Sequence, residues 1–483
     1  MKKIIIITIL CAILFQTTIY SQQTIRFDKY FLDKTMRMDF YHTGIKDQEI
    51  ISLDVVYEEP ASLVHDKKLW GGSKVNLIDT LNFGKYMVKV FDLKTNQLIY
   101  SRGFSSLFGE WQTTDEAANG IYRTFHESVL FPYPKNKVQV IISARDKKNV
   151  FQNVFSTVID PESRFVNRER HVENVEVNEV MNNGDPAKKV DILILGDGYT
   201  RKDMKQLRDE VKHFTDLLFN EQPFKDRKKD FNVWAIEVPS LDSGIDEPRK
   251  NIWKKTAFGC SFNSFDSPRY VLSRDNKSIR NAAAAVPYDQ IYLLFNSDRY
   301  GGGGIYNLYS TCYSHDTKEH SAWWPDYVFV HEFGHAFGGL GDEYYSSSVA
   351  YNEFYPLNVD PWEPNVGIVI DGHIKWEHLM DDDTPIPTPW DKAKYDSLSL
   401  ARYQIDRDDT NYEKIRDRIE REMKELLETQ KYADKIGAFE GSGYSSEGLY
   451  RPYLDCKMFS KSLVPFCPVC RDNIEKVIDF YTE

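Results

Sequence analysis

Past residue 15 the sequence has no apolar run of the roughly 20 residues that a bilayer-spanning helix needs. The expectation is a mature chain without a membrane span. Excess positive charge is also missing. Lys and Arg number 61 against 73 Asp and Glu, a net charge of −12, which argues against nucleic acid as a partner. Cysteine is scarce, at 6 in 483 residues, and Cys11 lies within the amino-terminal apolar run. The others are Cys260, Cys312, Cys456, Cys467 and Cys470, an odd number that leaves at least one thiol unpaired. Cys467-Pro-Val-Cys470 has redox-motif spacing and is half of a zinc knuckle, but no second C-x-x-C accompanies it. A structural disulfide is therefore the favoured reading of that pair. Gly196-Asp197-Gly198 lacks both the full dinucleotide fingerprint and a phosphate-loop lysine, so nucleotide binding is not expected and Asp197 is read as ordering the turn.

What is present begins with two lysines, an apolar run from Ile4 to Phe15 and small or polar residues after it. This is the pattern of a secretory signal peptide over residues 1–21, with cleavage after Ser21. An exported protein follows, whether periplasmic, cell-surface or secreted.

From Thr24 to about Asp160, segments such as EIISLDVVYEEP, KYMVKVFDL and KVQVIISARD alternate apolar and polar residues between turn signals. They predict an antiparallel β-sandwich over 22–160, a support or docking module without a cluster of catalytic residues. The polar stretch 161–187 reads as a linker. At Lys188 the character changes. KVDILILGDGY is a buried strand, TRKDMKQLRDEVKHFTDLLFN an amphipathic helix and DFNVWAIEVPS a second strand, the rhythm of an α/β sheet. YDQIYLLFNS adds a strand, and RYGGGGIYNLYS a glycine-led edge strand. Within 390–431, Ile415, Ile419, Met423, Leu426 and Leu427 recur at helical spacing in a highly charged insertion. Asp381, Asp382 and Asp383 could bind calcium, but a solvated loop is the favoured reading, and no other feature supports that ion.

The stretch that these parts serve is WWPDYVFVHEFGHAFGGLGDEYY, residues 323–345. Its His331 and His335 are four apart and share one helix face, so both imidazoles can grip one metal ion. Glu332 is not a ligand but lies beside that ion, placed to take a proton from water. A catalytic zinc needs a third protein ligand and an open position. Gly338, Gly339 and Gly341 end the helix and turn the chain; the first side chains after the turn able to bind a hard metal are Asp342 and Glu343.

These elements, in this order, resemble the metzincin-like zinc peptidases. LILGDGYT at 193–200, YGGGGIYN at 300–307, HEFGHAFGGLGDEYY at 331–345, FEGSGY at 439–444, YRPYLDCKM at 450–458 and FCPVC at 466–470 are together similar to the IgA-peptidase family of bacterial secreted metallopeptidases. The resemblance implies an α+β / α/β metzincin-like zinc peptidase domain over 188–483, preceded by the sandwich. It also implies one catalytic zinc and a protein or peptide substrate. It does not imply that immunoglobulin A is cleaved. In ordinary metzincins the third ligand falls at the position of Gly341, which has no side chain to donate. The family's own ending Asp-Glu-Tyr favours a shift to Asp342, and the short reach from the turn agrees with that. Met458 is the match for the methionine turn beneath the metal, and Glu440, Tyr444 and Tyr450 come near the site. The resulting expectation is a zinc-dependent endopeptidase with metal ligands His331, His335 and Asp342, Glu332 as catalytic base, and substrate lying along Gly301–Gly304. Two alternatives stay open: an exported binding protein with a structural or inactive zinc site, and a zinc hydrolase of glycans or non-peptide amides. Should neither Asp342 nor Glu343 bind the metal, Glu353 or Glu440 would remain as ligands.

Overall fold

A computed structural model of the chain describes residues 25–169, 175–315, 323–345, 355–406 and 411–483. The expected signal peptide and Glu353 lie outside them. After a short helix, α1 (Phe27–Tyr30), the amino-terminal part has strands β1 (Phe31–Ile45), β2 (Gln48–Glu58), β3 (Tyr86–Asp92) and β4 (Gln97–Phe104). Helices α2 (Leu107–Trp111) and α3 (Asp115–Ala118) follow, then β5 (Arg123–Pro134), β6 (Val138–Arg145), β7 (Phe151–Ile159) and β8 (Val166–Asn167). The strands form two four-stranded sheets, ordered β5-β1-β2-β8 and β4-β3-β6-β7. Alternation of side chains sends Met36, Met38 and Phe40 from one sheet and Val88, Val90, Val140 and Ile142 from the other into a shared core. The sequence's period-2 pattern in this region thus builds an amino-terminal β domain.

The segment 161–187 carries pairing of its own. β8 adds to β2, and β9 (Glu176–Met181) pairs antiparallel with β11 (Phe231–Glu237). Its polar composition suits an edge strand, which keeps one side in water.

The second part is built on a six-stranded mixed sheet, ordered β15-β16-β14-β10-β11-β9. β10 (Val190–Asp197) is followed by α4 (Met204–Leu218), β11, the short strands β12 (Cys260–Ser261) and β13 (Leu272–Ser273), and α5 (Asn276–Ala283). Then come β14 (Gln290–Phe295), β15 (Gly302–Ile305), β16 (Tyr309–Tyr313) and α6 (Trp324–Gly338). β10, β11, β14 and β16 run parallel, and β15 returns antiparallel along one edge. Strands 10, 11 and 14 are buried throughout, as their continuous apolar runs require. Asp197 orders the chain beyond its turn: its carboxylate accepts from the amides of Phe258 at 2.8 Å and Cys260 at 2.7 Å.

The charged insertion is a pair of packed helices, α7 (Lys392–Tyr403) and α8 (Tyr412–Glu428). Ile419, Met423, Leu426 and Leu427 of α8 are its buried face. A hairpin of β17 (Phe439–Ser442) and β18 (Ser445–Arg451) and the closing helix α9 (Pro468–Thr482) complete this part. The two parts share apolar packing, because Leu107, Phe108, Trp111 and Phe125 of the β domain belong to the core cluster of the larger sheet.

Candidate metal centre and its cleft

Helix α6 begins with Pro325 in its first turn, where no amide partner is needed. It ends at Gly339, whose φ of +63° a side chain would disfavour. There Gly339 N–H donates to His335 O at 3.1 Å and Leu340 N–H to Gly334 O at 3.2 Å, a Schellman closure that reverses the chain. The reversal brings Asp342 back under the two imidazoles.

Three ligand-type atoms converge there. His331 Nε2 and His335 Nε2 are 3.2 Å apart, and Asp342 Oδ1 is 3.1 Å from the first and 3.3 Å from the second. Tetrahedral zinc with bonds of ~2.0–2.1 Å has ligand-to-ligand edges of ~3.3 Å, so the trio has the spacing of three ligands of one ion. Asp342 Oδ1 is buried and accepts no hydrogen bond. The outer ring nitrogens are oriented by carbonyls: His335 Nδ1 donates to Leu340 O at 2.6 Å, and His331 Nδ1 to Lys457 O at 3.1 Å. A carbonyl can only accept, so each Nε2 is directed inward. Tyr444 OH donates to Asp342 Oδ2 and holds that oxygen away from the centre.

The electrostatics agree. Burial works against an ionised Asp342, yet His335 and His331 hold its carboxyl well below the usual carboxylate range. Burial likewise disfavours a charged His335, but Asp342 and Glu332 pull it up to about 9. The trio favours positive charge at its centre. Glu332 is outside the trio but lines the same cleft; burial raises its carboxyl above the ordinary value, against the pull of His331 and His335.

Of the other expected residues, Met458 is buried beneath α6, with Sδ 3.1 Å from where a Cβ on Gly334 would stand. Glu440 accepts from Gly448 N–H at 3.1 Å, and Tyr450 pairs with Gly367. Neither is in the trio. Glu343, one residue from Asp342, turns away from it and accepts from Asn365 Nδ2 at 2.8 Å. Sequence reasoning missed Arg269, which lines the cleft at the metal centre, and the orienting carbonyls of Leu340 and Lys457. A carbonyl carries no sequence signal, and Arg269 lay in a connection with no motif.

The glycine strand differs from expectation. Gly304 packs so tightly on α6 that an added Cβ would fall 2.3 Å from Glu332 O, which explains the glycine. But the outward groups of Gly302 are already used: its N–H donates to Arg269 O at 3.3 Å and its carbonyl accepts from Val271 N–H at 3.2 Å. Substrate cannot add along the whole of Gly301–Gly304. Gly304 is the next position facing the same way, and it borders the cleft.

That cleft has a volume of about 540 Å³, within the ~300–1,000 Å³ of ligand pockets. His331, Glu332, His335 and Asp342 line one wall, while Lys85 and Arg145 of the β domain line another. The β domain, read from sequence as a support or docking module, contributes to the cavity itself.

Against this geometry, a family model described as IgA Peptidase M64 matches residues 178–478, and one described as Peptidase M64 N-terminus matches residues 26–156. The chain belongs to the IgA peptidase M64 family, a family of peptidases. No curated protein matches it.

Proposed function

We propose that the protein is an exported zinc-dependent endopeptidase with a metzincin-like catalytic domain. His331, His335 and Asp342 hold the ion, and Glu332 is the general base. The observation that carries this reading is the convergence of two Nε2 atoms and Asp342 Oδ1 at 3.1–3.3 Å on the wall of an open cleft. A structural zinc is closed by four protein ligands, whereas three leave a position for reaction. Zinc bound there supplies Lewis acidity, polarising the scissile carbonyl and making water easier to deprotonate.

The chain's own groups do the rest. Glu332 takes the proton of the attacking water and returns it to the leaving amine, and its raised carboxyl suits both transfers. Tyr444 fixes Asp342, and the Leu340 and Lys457 carbonyls fix the imidazoles, so the site needs little reorganisation. A peptide lies in the cleft with its backbone against Gly304, between α6 and the β domain. Residues 1–21 are removed on export, and the mature chain begins near Gln22. Mass spectrometry of the native amino terminus tests that step, and an intact chain from Met1 would contradict it.

Cleavage of a peptide library by the purified protein tests the activity. Hydrolysis of internal peptide bonds, abolished by a chelator and restored by zinc, is expected. Chelator-insensitive cleavage, or hydrolysis only of glycans or non-peptide amides, would overturn the reading.

A further inference from the structure

A second group of ligand-type side chains lies behind the first. Glu343, Cys456, Cys467 and Cys470 are all buried, and one ligand atom from each lies within 4.8 Å of all the others. They come from three separate places: the residue after Asp342, the loop after β18, and the amino end of α9. The C-x-x-C pair expected to form a disulfide does not; Cys456, Cys467 and Cys470 are free thiols.

From this arrangement we infer a second metal site, in which Cys456, Cys467, Cys470 and Glu343 enclose one zinc ion. Cys456 Sγ and Cys470 Sγ stand 3.8 Å apart. Zinc–sulfur bonds of ~2.3 Å in a tetrahedron give a sulfur-to-sulfur edge of ~3.8 Å, whereas a disulfide needs ~2.05 Å. Backbone amides point at the sulfurs: Cys467 N–H donates to Cys456 Sγ at 3.3 Å and Cys470 N–H to Cys467 Sγ at 3.5 Å. Such bonds stabilise thiolates, and so does the positive end of α9, whose first residue follows Cys467.

An independent observation comes from Glu343. It is wholly buried, with one oxygen bonded to Asn365 and facing Cys470 Sγ at 3.3 Å, while Oε2 has no hydrogen-bond partner. A buried carboxylate oxygen without a partner is costly, and a cation among the thiols would satisfy it. Thiolates in the majority select a soft ion such as zinc over magnesium or calcium. Binding sends the three thiol protons to solvent. The buried guanidinium of Arg451 offsets part of the resulting negative charge on the Glu343 side.

Four protein ligands leave no open position, so this ion is structural. Its place says what it supports. Glu343 follows Asp342 directly, and Glu343 N–H donates to Met458 O at 2.9 Å. Lys457, between Met458 and Cys456, provides the carbonyl that orients His331. The second ion ties together the turns that position both kinds of ligand at the first.

Metal analysis of the purified full chain tests this inference. Near two equivalents of zinc are expected, and near one in the double variant His331→Ala/His335→Ala, which spares the thiols. X-ray absorption of that variant should show sulfur scatterers at ~2.3 Å. Replacing its remaining zinc with cobalt(II) should produce thiolate-to-cobalt charge transfer in the near ultraviolet. A double variant free of metal, or holding its metal without sulfur neighbours, would overturn the proposal. So would a disulfide among the three cysteines in the unreduced wild-type chain. A silent peptidase assay alongside two equivalents of zinc would count against the proposed activity and not against this site.

Discussion

Asp342 and Glu343 are chemically alike and adjacent, yet they face different centres. The glycine turn directs the shorter side chain to the imidazoles, and the next one turns away toward Asn365 and Cys470. Asp342→Ala should abolish cleavage and remove the metal held with the histidines, while Glu343→Ala should keep that metal. Metal analysis with a cleavage assay checks both, and the reverse pattern would move the ligand by one residue. The meeting of His331 and His335 was legible because helical spacing alone puts two imidazoles on one face. Tyr444 was not given a role, since its contact with Asp342 spans 102 residues and rests on the β17–β18 hairpin. Cys456 was illegible as a partner of the C-x-x-C for another reason: it is only 11 residues from Cys467, but it stands alone in a loop without metal-motif spacing.

A second residue-scale test concerns His42 of the β domain, buried between Glu127 at 3.0 Å and Glu49 at 2.9 Å. Burial opposes its charged form, yet Glu127 and Glu49 outweigh it and raise its value. A raised folded value gives stability that is fully present below the unfolded value of ~6.5 and is lost as pH rises through the folded value. Replacing His42 with Ala leaves two carboxylates without their shared donor and should cost about 3–5 kcal/mol in mildly acidic solution. The gap between wild type and variant should shrink at alkaline pH in urea titrations; a gap independent of pH would contradict the assignment.

At the scale of elements, β15 lies against α6 only because glycines let it. Gly304→Ala puts a methyl group 2.3 Å from Glu332 O and 3.0 Å from the His335 Cβ. Strand and helix must separate, costing about 1–3 kcal/mol and shifting the base that the strand packs against. Thermal unfolding and cleavage rate should therefore fall together, and an unchanged rate would show that the strand does not set the base. The strand was legible from its glycines, as were the sandwich strands from alternation and α8 from its apolar spacing. The occupied outer side of Gly302 was not, because Arg269–Val271 reaches it from a connection with no periodic pattern. Nor was β9, whose polar sequence suits a sheet edge as well as a linker.

For the whole molecule, the contacts between the β domain and the sheet domain predict one folding unit. Leu63 N–H donates to Ala285 O at 2.7 Å, Ser105 N–H to Tyr306 O at 2.9 Å, and Arg102 lies 4.2 Å from the Phe480 ring centre. A chain lacking residues 1–174 would expose the apolar partners of Phe108 and Trp111 and one open wall of the cleft. It should aggregate, while the intact chain unfolds in a single calorimetric transition. Two well-separated transitions, or a soluble and fully active fragment, would contradict this. The change of pattern near Lys188 made two parts visible in the sequence. Their shared core was invisible, since it depends on which faces meet.

The proposed hydrolysis depends above all on Glu332 acting as a base beside a metal that it does not bind. Glu332→Gln keeps the shape of the side chain and removes its ability to accept a proton. Metal content and peptide cleavage should be measured on the same preparation of this variant. Metal at the wild-type level with cleavage reduced on the order of 10²–10⁴-fold is the predicted result. Cleavage at the wild-type rate, or loss of the metal along with the activity, would contradict it.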